Sequence, residues 1–162
     1  MRTASAVFLL ATCVLGATRL DEYLLPTDLV PSHYDLRLVP YLDTGNFTFD
    51  GEVTIRVTVA KETRVVTLHQ NDTDIDEQSV RVTHVGSGQG VRVLGHEYDQ
   101  LHHFHHINLN SSLDVGEQYD VYIKYSGHLR DDMQGLFRSS YVDSDGQTRY
   151  YYPDLCDHLA TE

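Results

Sequence analysis

The sequence predicts an all-β chain: an antiparallel β-sandwich or saddle-like sheet of about eight or nine short strands. Three observations carry that expectation. Apolar residues recur at every second position in segment after segment, the spacing that buries one face of a strand. Turn-forming Gly, Asp and Asn clusters separate those segments at intervals of about 10–12 residues. No stretch carries the 3.6-residue period of an amphipathic helix.

Residues 1–17 read as a secretory leader. Arg2 supplies the positive start, residues 6–15 form a short apolar run, and Gly16, Ala17 and Thr18 are small. The run is shorter than the roughly 20 apolar residues of a membrane span, so the mature chain has no expected transmembrane helix. One domain over residues 18–162 remains.

The strands follow in order. Tyr34, Leu36 and Leu38 alternate with His33, Asp35 and Arg37, which predicts a strand with those three buried. Pro31 and Pro40 are expected to bound it. Val53, Ile55, Val57 and Val59 alternate with polar residues, and Gly51 before them suggests a bulge. Val66 and Leu68 are the inward pair of residues 64–69; Val80 and Val82 play that part in residues 79–85. Short strands follow at 91–94 and 101–109. Tyr119, Val121, Ile123 and Tyr125 form the next alternation, with Gly127 and Gly135 placed at bends, and strands at 136–142 and 148–152 close the set. Asp143-Ser144-Asp145-Gly146 is a hairpin turn, because glycine supplies the positive φ such turns need, and Asp43-Thr44-Gly45-Asn46 is its earlier counterpart. Gly86-Ser87-Gly88-Gln89-Gly90 is a hairpin loop; its spacing is not that of a phosphate cradle and no helix follows.

Composition narrows the function classes. The 162 residues hold 24 acidic and 12 basic side chains, a net charge of −12. Nucleic-acid binding and attachment to anionic lipid both require clustered Lys and Arg, which the chain lacks. Three Asn-x-Ser/Thr sequons, at Asn46, Asn71 and Asn110, fit glycosylated surface turns in a secreted glycoprotein. Of the two cysteines, Cys13 leaves with the leader, so Cys156 stands alone: an intermolecular bridge, a free thiol, or a residue whose partner lies further along a longer chain.

Chemistry-bearing clusters are few. His96-Glu97-Tyr98-Asp99-Gln100 has Gln where a zinc hydrolase needs its second His, and it sits in strand and turn instead of helix. In His102-His103-Phe104-His105-His106, a strand would put His102 and His106 on the face of Phe104, and His103 and His105 on the other. The first reading is an exposed, histidine-rich face. The second is an imidazole pair gripping zinc, nickel or copper. There is no Gly-x-Ser-x-Gly, Cys156 and His158 have no visible pocket, and Asp131-Asp132 and Asp74/Asp76 fall in polar turns. No catalytic, cofactor-binding or metal residue is assigned.

The order of landmarks carries a resemblance. Leu25-Pro26 is followed by Pro31-Ser32-His33-Tyr34-Asp35-Leu36, then Phe49-Asp50-Gly51-Glu52-Val53 and Leu68-His69. Next come Gly116-Glu117-Gln118-Tyr119 through Tyr125-Ser126-Gly127-His128-Leu129, and Met133-Gln134-Gly135-Leu136-Phe137. Together they resemble the N-terminal β domain of the aminopeptidase N family of zinc metallopeptidases, of the gluzincin type, particularly arthropod secreted or surface forms. The resemblance implies a domain that packs on a catalytic domain and helps wall its cavity, here cut off before that domain. Family zinc is held through His-Glu-x-x-His and substrate through Gly-Ala-Met-Glu-Asn, and neither motif occurs in this sequence. The expectation is therefore a secreted or cell-surface structural domain, inactive alone and holding no cofactor. The alternatives are a non-enzymatic module binding an extracellular protein or carbohydrate, or a fragment of an active aminopeptidase.

Overall fold

The computed structural model describes residues 23–41, 47–131 and 137–151. Ten strands are present among them: β1 (Leu29–Tyr41), β2 (Thr48–Val59), β3 (Thr63–His69), β4 (Thr73–His84), β5 (Gly90–Val91), β6 (Val93–Asp99), β7 (Phe104–Leu113), β8 (Gln118–His128), β9 (Ser139–Val142) and β10 (Thr148–Tyr151). They make a five-stranded sheet in the order β1-β2-β8-β4-β5, a three-stranded sheet β3-β7-β6, and a β9-β10 ribbon. Every strand pair is antiparallel, so the all-β expectation holds. The leader, Asn46 with its turn, Gly135 and Cys156 lie outside the described residues.

The core lies between the two larger sheets. Ile55, Val57 and Val59 of β2, Val80 and Val82 of β4, and Tyr119, Val121 and Ile123 of β8 meet Val66 of β3 and Ile107, Leu109 and Leu113 of β7. Those of β2, β3, β4 and β8 are positions that alternation places inward, and burying each such aliphatic side chain contributes about 1.5–3 kcal/mol.

The first strand departs from expectation. Tyr34, Leu36 and Leu38 pair with Ile55, Val53 and Gly51, so they point to the same side as the core. Yet they are 58%, 54% and 38% exposed. The buried cluster draws on β2, β3, β4, β7 and β8, and β1 runs along the outer edge beyond it. The strand also extends through both prolines, with Pro31 opposite Val57 and Pro40 opposite Phe49. An outer strand has one side without a ladder, where a missing N–H is tolerated. The register shifts between Pro31 and His33, which keeps Leu29 and Tyr34 on one face although their numbers differ in parity.

The glycines are corrected too. Pairing is continuous through Gly51, with no bulge, and Gly127 lies inside β8 opposite Phe49. An ideal Cβ on Gly51 would stand 2.4 Å from the Tyr125 ring, and one on Gly127 would stand 2.6 Å from the Phe49 ring. Both positions are small because an aromatic ring lies over them, which alternation cannot reveal. The two expected turns among the described residues hold. Gly88 (φ +70) and Gly146 (φ +75) take the left-handed conformation, and Asp143 Oδ1 accepts from the N–H groups of Asp145 and Gln147.

Candidate functional site

The histidine-rich segment lies at one end of the three-stranded sheet. Residues 101–103 form a turn and not the start of the strand, which begins at Phe104. His103 has φ 57 and bonds through Nδ1 to the Tyr98 hydroxyl at 3.1 Å. Asp99 organises the turn: its Oδ1 accepts from Leu101 N–H at 2.8 Å, and its Oδ2 lies 2.6 Å from His102 Nδ1. That side-chain bond, with the backbone N–H groups, holds the Asp99 carboxyl below the usual carboxylate range.

The outer face of this sheet carries a ring cluster. Phe104 contacts His102 (centroids 5.7 Å), His106 (6.1 Å) and His69 (5.0 Å), and Tyr23 meets His102 edge-on at 5.3 Å. Phe104 and His106 share a face, as the strand period requires, and His102 stacks on Phe104 from the turn. However, His102 is engaged by Asp99, and His106 Nδ1 by the Thr67 hydroxyl at 3.0 Å.

His105 overturns the reading of an exposed face. It turns into the sandwich beside Leu68 and is only 3% exposed. Its Nε2 lies 2.9 Å from Nδ1 of His96 across the β6–β7 pair, and its own Nδ1 is buried with no partner. Burial first, then the neighbouring His96, hold its imidazole below the ordinary histidine range. Nothing in the sequence signals this pair, whose members are nine residues apart on different strands. The β6–β7 register, with His96 opposite Ile107, is what brings it to His105.

The other sites distribute as follows. Asn71, between β3 and β4, and Asn110, on β7 and so not in a turn, are both exposed. Ser87, His84 and Glu117 line up as hydroxyl, imidazole and carboxylate at 3.0 and 3.1 Å. The same His84 Nδ1 accepts the backbone N–H of Ser87 at 3.0 Å, so the arrangement caps the turn after β4. Among the described residues, no group of three or more His, Cys, Asp and Glu side chains could hold a metal ion, so the donor set of a family zinc is not assembled there. No helix among them is long and apolar enough to cross a membrane.

A further feature is apolar. The exposed face of β1 continues into a groove of about 530 Å³ between the two sheets, lined by Leu25, Val30, Tyr34, Ile55, Val66 and Leu68 among others.

Residues 30–158 match the peptidase M1 N-terminal domain. The chain belongs to that family. It is 33% identical to aminopeptidase N of Canis lupus familiaris over 130 residues, 76% of this chain but 13% of the relative. Against membrane alanyl aminopeptidase of Manduca sexta it is 33% identical over 139 residues, 78% of this chain and 14% of that protein. Against puromycin-sensitive aminopeptidase of Caenorhabditis elegans the identity is 31% over 149 residues, 92% and 15% respectively. This M1 β domain therefore spans about a seventh of the length of the curated relatives it matches, and the landmarks quoted above fall within the matched span or at its edge.

Proposed function

We propose that the chain is the N-terminal structural domain of a secreted or cell-surface zinc-aminopeptidase-like protein and does not cleave peptides by itself. The observation that carries this reading is an M1 N-terminal-domain match over residues 30–158 in a sequence with neither His-Glu-x-x-His nor Gly-Ala-Met-Glu-Asn. Zinc, held by residues outside this chain, would supply the Lewis-acid chemistry. The bare apolar face of Tyr34, Leu36 and Leu38 supports a scaffold role, since a contiguous apolar surface beside a groove marks an interaction site. The proposed partner is the rest of a longer aminopeptidase chain, catalytic domain included.

A second reading is a glycosylated, non-enzymatic binding module for an extracellular protein or carbohydrate. The exposed apolar face of β1 supports it as well, since that face is open to a partner on another chain. Both readings share the leader and the glycans, including Asn46.

Incubation of the purified chain with an alanyl chromogenic substrate and zinc tests the first reading. No chelator-sensitive hydrolysis is expected, and sustained, chelator-sensitive turnover would overturn it. Expression in an animal secretory line should deliver the chain to the medium, with a mobility shift on glycosidase treatment that Asn71→Gln and Asn110→Gln reduce. Retention inside the cell with residues 1–17 intact would defeat the secreted assignment.

A further inference from the structure

We propose that the His96–His105 pair is an acid-sensitive latch that fastens β6 to the sandwich. β6 is the outer strand of the three-stranded sheet, and its ladder runs to β7 alone. The two imidazoles add a side-chain bond across that ladder, with Nδ1 of His96 2.9 Å from Nε2 of His105 and ring centroids 5.1 Å apart.

One proton occupies such a bridge. While both rings are neutral, His105 Nε2–H can donate to His96 Nδ1, leaving the buried His105 Nδ1 as a bare acceptor and the second His96 N–H free to face away. An added proton removes that solution. If His96 becomes the cation and keeps the bridge, it donates to His105 Nε2, and the neutral His105 must carry its hydrogen on Nδ1. If His105 becomes the cation, Nδ1 carries a hydrogen as well. Either way, an N–H with no partner is created at a buried atom. If both rings are charged, the bridge is lost and two cations face each other.

The surroundings favour the neutral pair. Burial and His96 press His105 toward the neutral form, and His106 on the same strand adds to that; Glu77 alone opposes it. Glu77 sits on the β4 segment where pairing with β8 shifts register between Asp76 and Arg81. Arg81 donates to the carbonyls of Gln78 and Val80, and it lines the crevice beside His96 together with Arg92. Tyr98, opposite His105 on β6, is committed to the Gln70 carbonyl and to His103, while β3 presents only Leu68. No acceptor bonds His105 Nδ1.

His105 holds its proton less tightly folded than unfolded. The latch is therefore closed above the ordinary histidine range and opens as pH falls through it.

Hydrogen exchange on the purified chain tests this at pH about 7.5 and about 5.5, corrected for the chemical exchange rate. Protection of the β6 amides, and of the β7 amides paired with them, should fall by up to about tenfold at the lower pH, the limit for a group that titrates at the ordinary histidine value of about 6.5 when β6 is open and takes no proton while it is closed. The β1–β2–β8 ladder should keep its protection. His105→Gln keeps a donor for His96 Nδ1 but removes the buried ring that takes up the proton, and it should flatten the pH dependence. Nitrogen-15 shifts of the imidazoles, read on the unsubstituted chain, should show His105 neutral until β6 opens. Unchanged β6 protection at both pH values, an equal loss in His105→Gln, or His105 titrating normally with β6 still closed would each overturn the latch.

Discussion

Phe49 and Tyr125 meet edge to face with ring centroids 6.2 Å apart, and each lies over the glycine paired with it on the neighbouring strand, Gly127 under Phe49 and Gly51 under Tyr125. The two cross-strand pairs are neighbours on one face of the β2–β8 ladder, with Asp50 and Ser126 paired between them, and interlock as a unit at the edge of the core. A methyl group at either glycine collides with a ring.

Gly127→Ala is expected to cost more than Gly51→Ala. The new Cβ at residue 127 stands 2.6 Å from Phe49, a ring only 7% exposed, whereas the one at residue 51 meets the far end of Tyr125, a ring that is only partly buried. Overpacking of this kind costs about 1–3 kcal/mol, and Gly127→Ala belongs at the upper end. Urea midpoints at constant slope check the ranking, and the double variant with Phe49→Leu should recover part of the loss.

Ile107→Ala should lower stability by about 2–5 kcal/mol, the cost of a cavity in a packed core, because Ile107 is fully buried between the sheets. Leu94→Ala should stay within about 0.5 kcal/mol, since Leu94 is 63% exposed. Similar losses for the two in chemical denaturation would contradict the sandwich packing.

Arg56 and Asp120 form a two-armed ion pair across β2 and β8 at 2.8 and 2.9 Å. The Arg56 guanidinium holds the Asp120 carboxyl below its usual value, chiefly by hydrogen bonding. A carboxylate with a depressed folded-state pKa stabilises the fold above its unfolded value of about 3.9, and that contribution disappears as pH falls through the folded value. The Tm difference between the chain and Asp120→Asn should therefore be present near neutral pH and close at strongly acid pH. The pair is partly exposed, so added salt should shrink the difference as well.

The bare face of β1 should bind a hydrophobic reporter dye while the chain remains folded. Leu36→Lys should cut that fluorescence and leave the circular dichroism and unfolding midpoint nearly unchanged, because Leu36 is 54% exposed. A large loss of stability in Leu36→Lys would mean that the face is covered.

Much of the fold was legible because it is local. Val57, Val59, Val82, Val121 and Ile123 are buried where a two-residue period puts them, and Asp143 and Gly146 make the turn that their side chains favour. The ring cluster on Phe104 was half legible: the shared face of Phe104 and His106 follows from the period, but the Asp99-organised turn takes His102 and His103 out of the strand. The His96–His105 contact had no local signal, since strand register creates it. Nor could the small size of Gly51 and Gly127 be traced to Tyr125 and Phe49, each many residues distant along the chain.

By itself the sequence determined that strands form, which face of each is apolar, where several turns fall, and through its landmarks which family the chain belongs to. Alternation and turn chemistry are properties of neighbouring residues, and they survive any arrangement of the sheets. Only the tertiary structure decided which apolar faces are covered. β2, β4 and β8 find the three-stranded sheet over them, whereas β1 carries the same pattern past its edge into solvent, because burial depends on what another segment brings opposite and not on the strand's own residues.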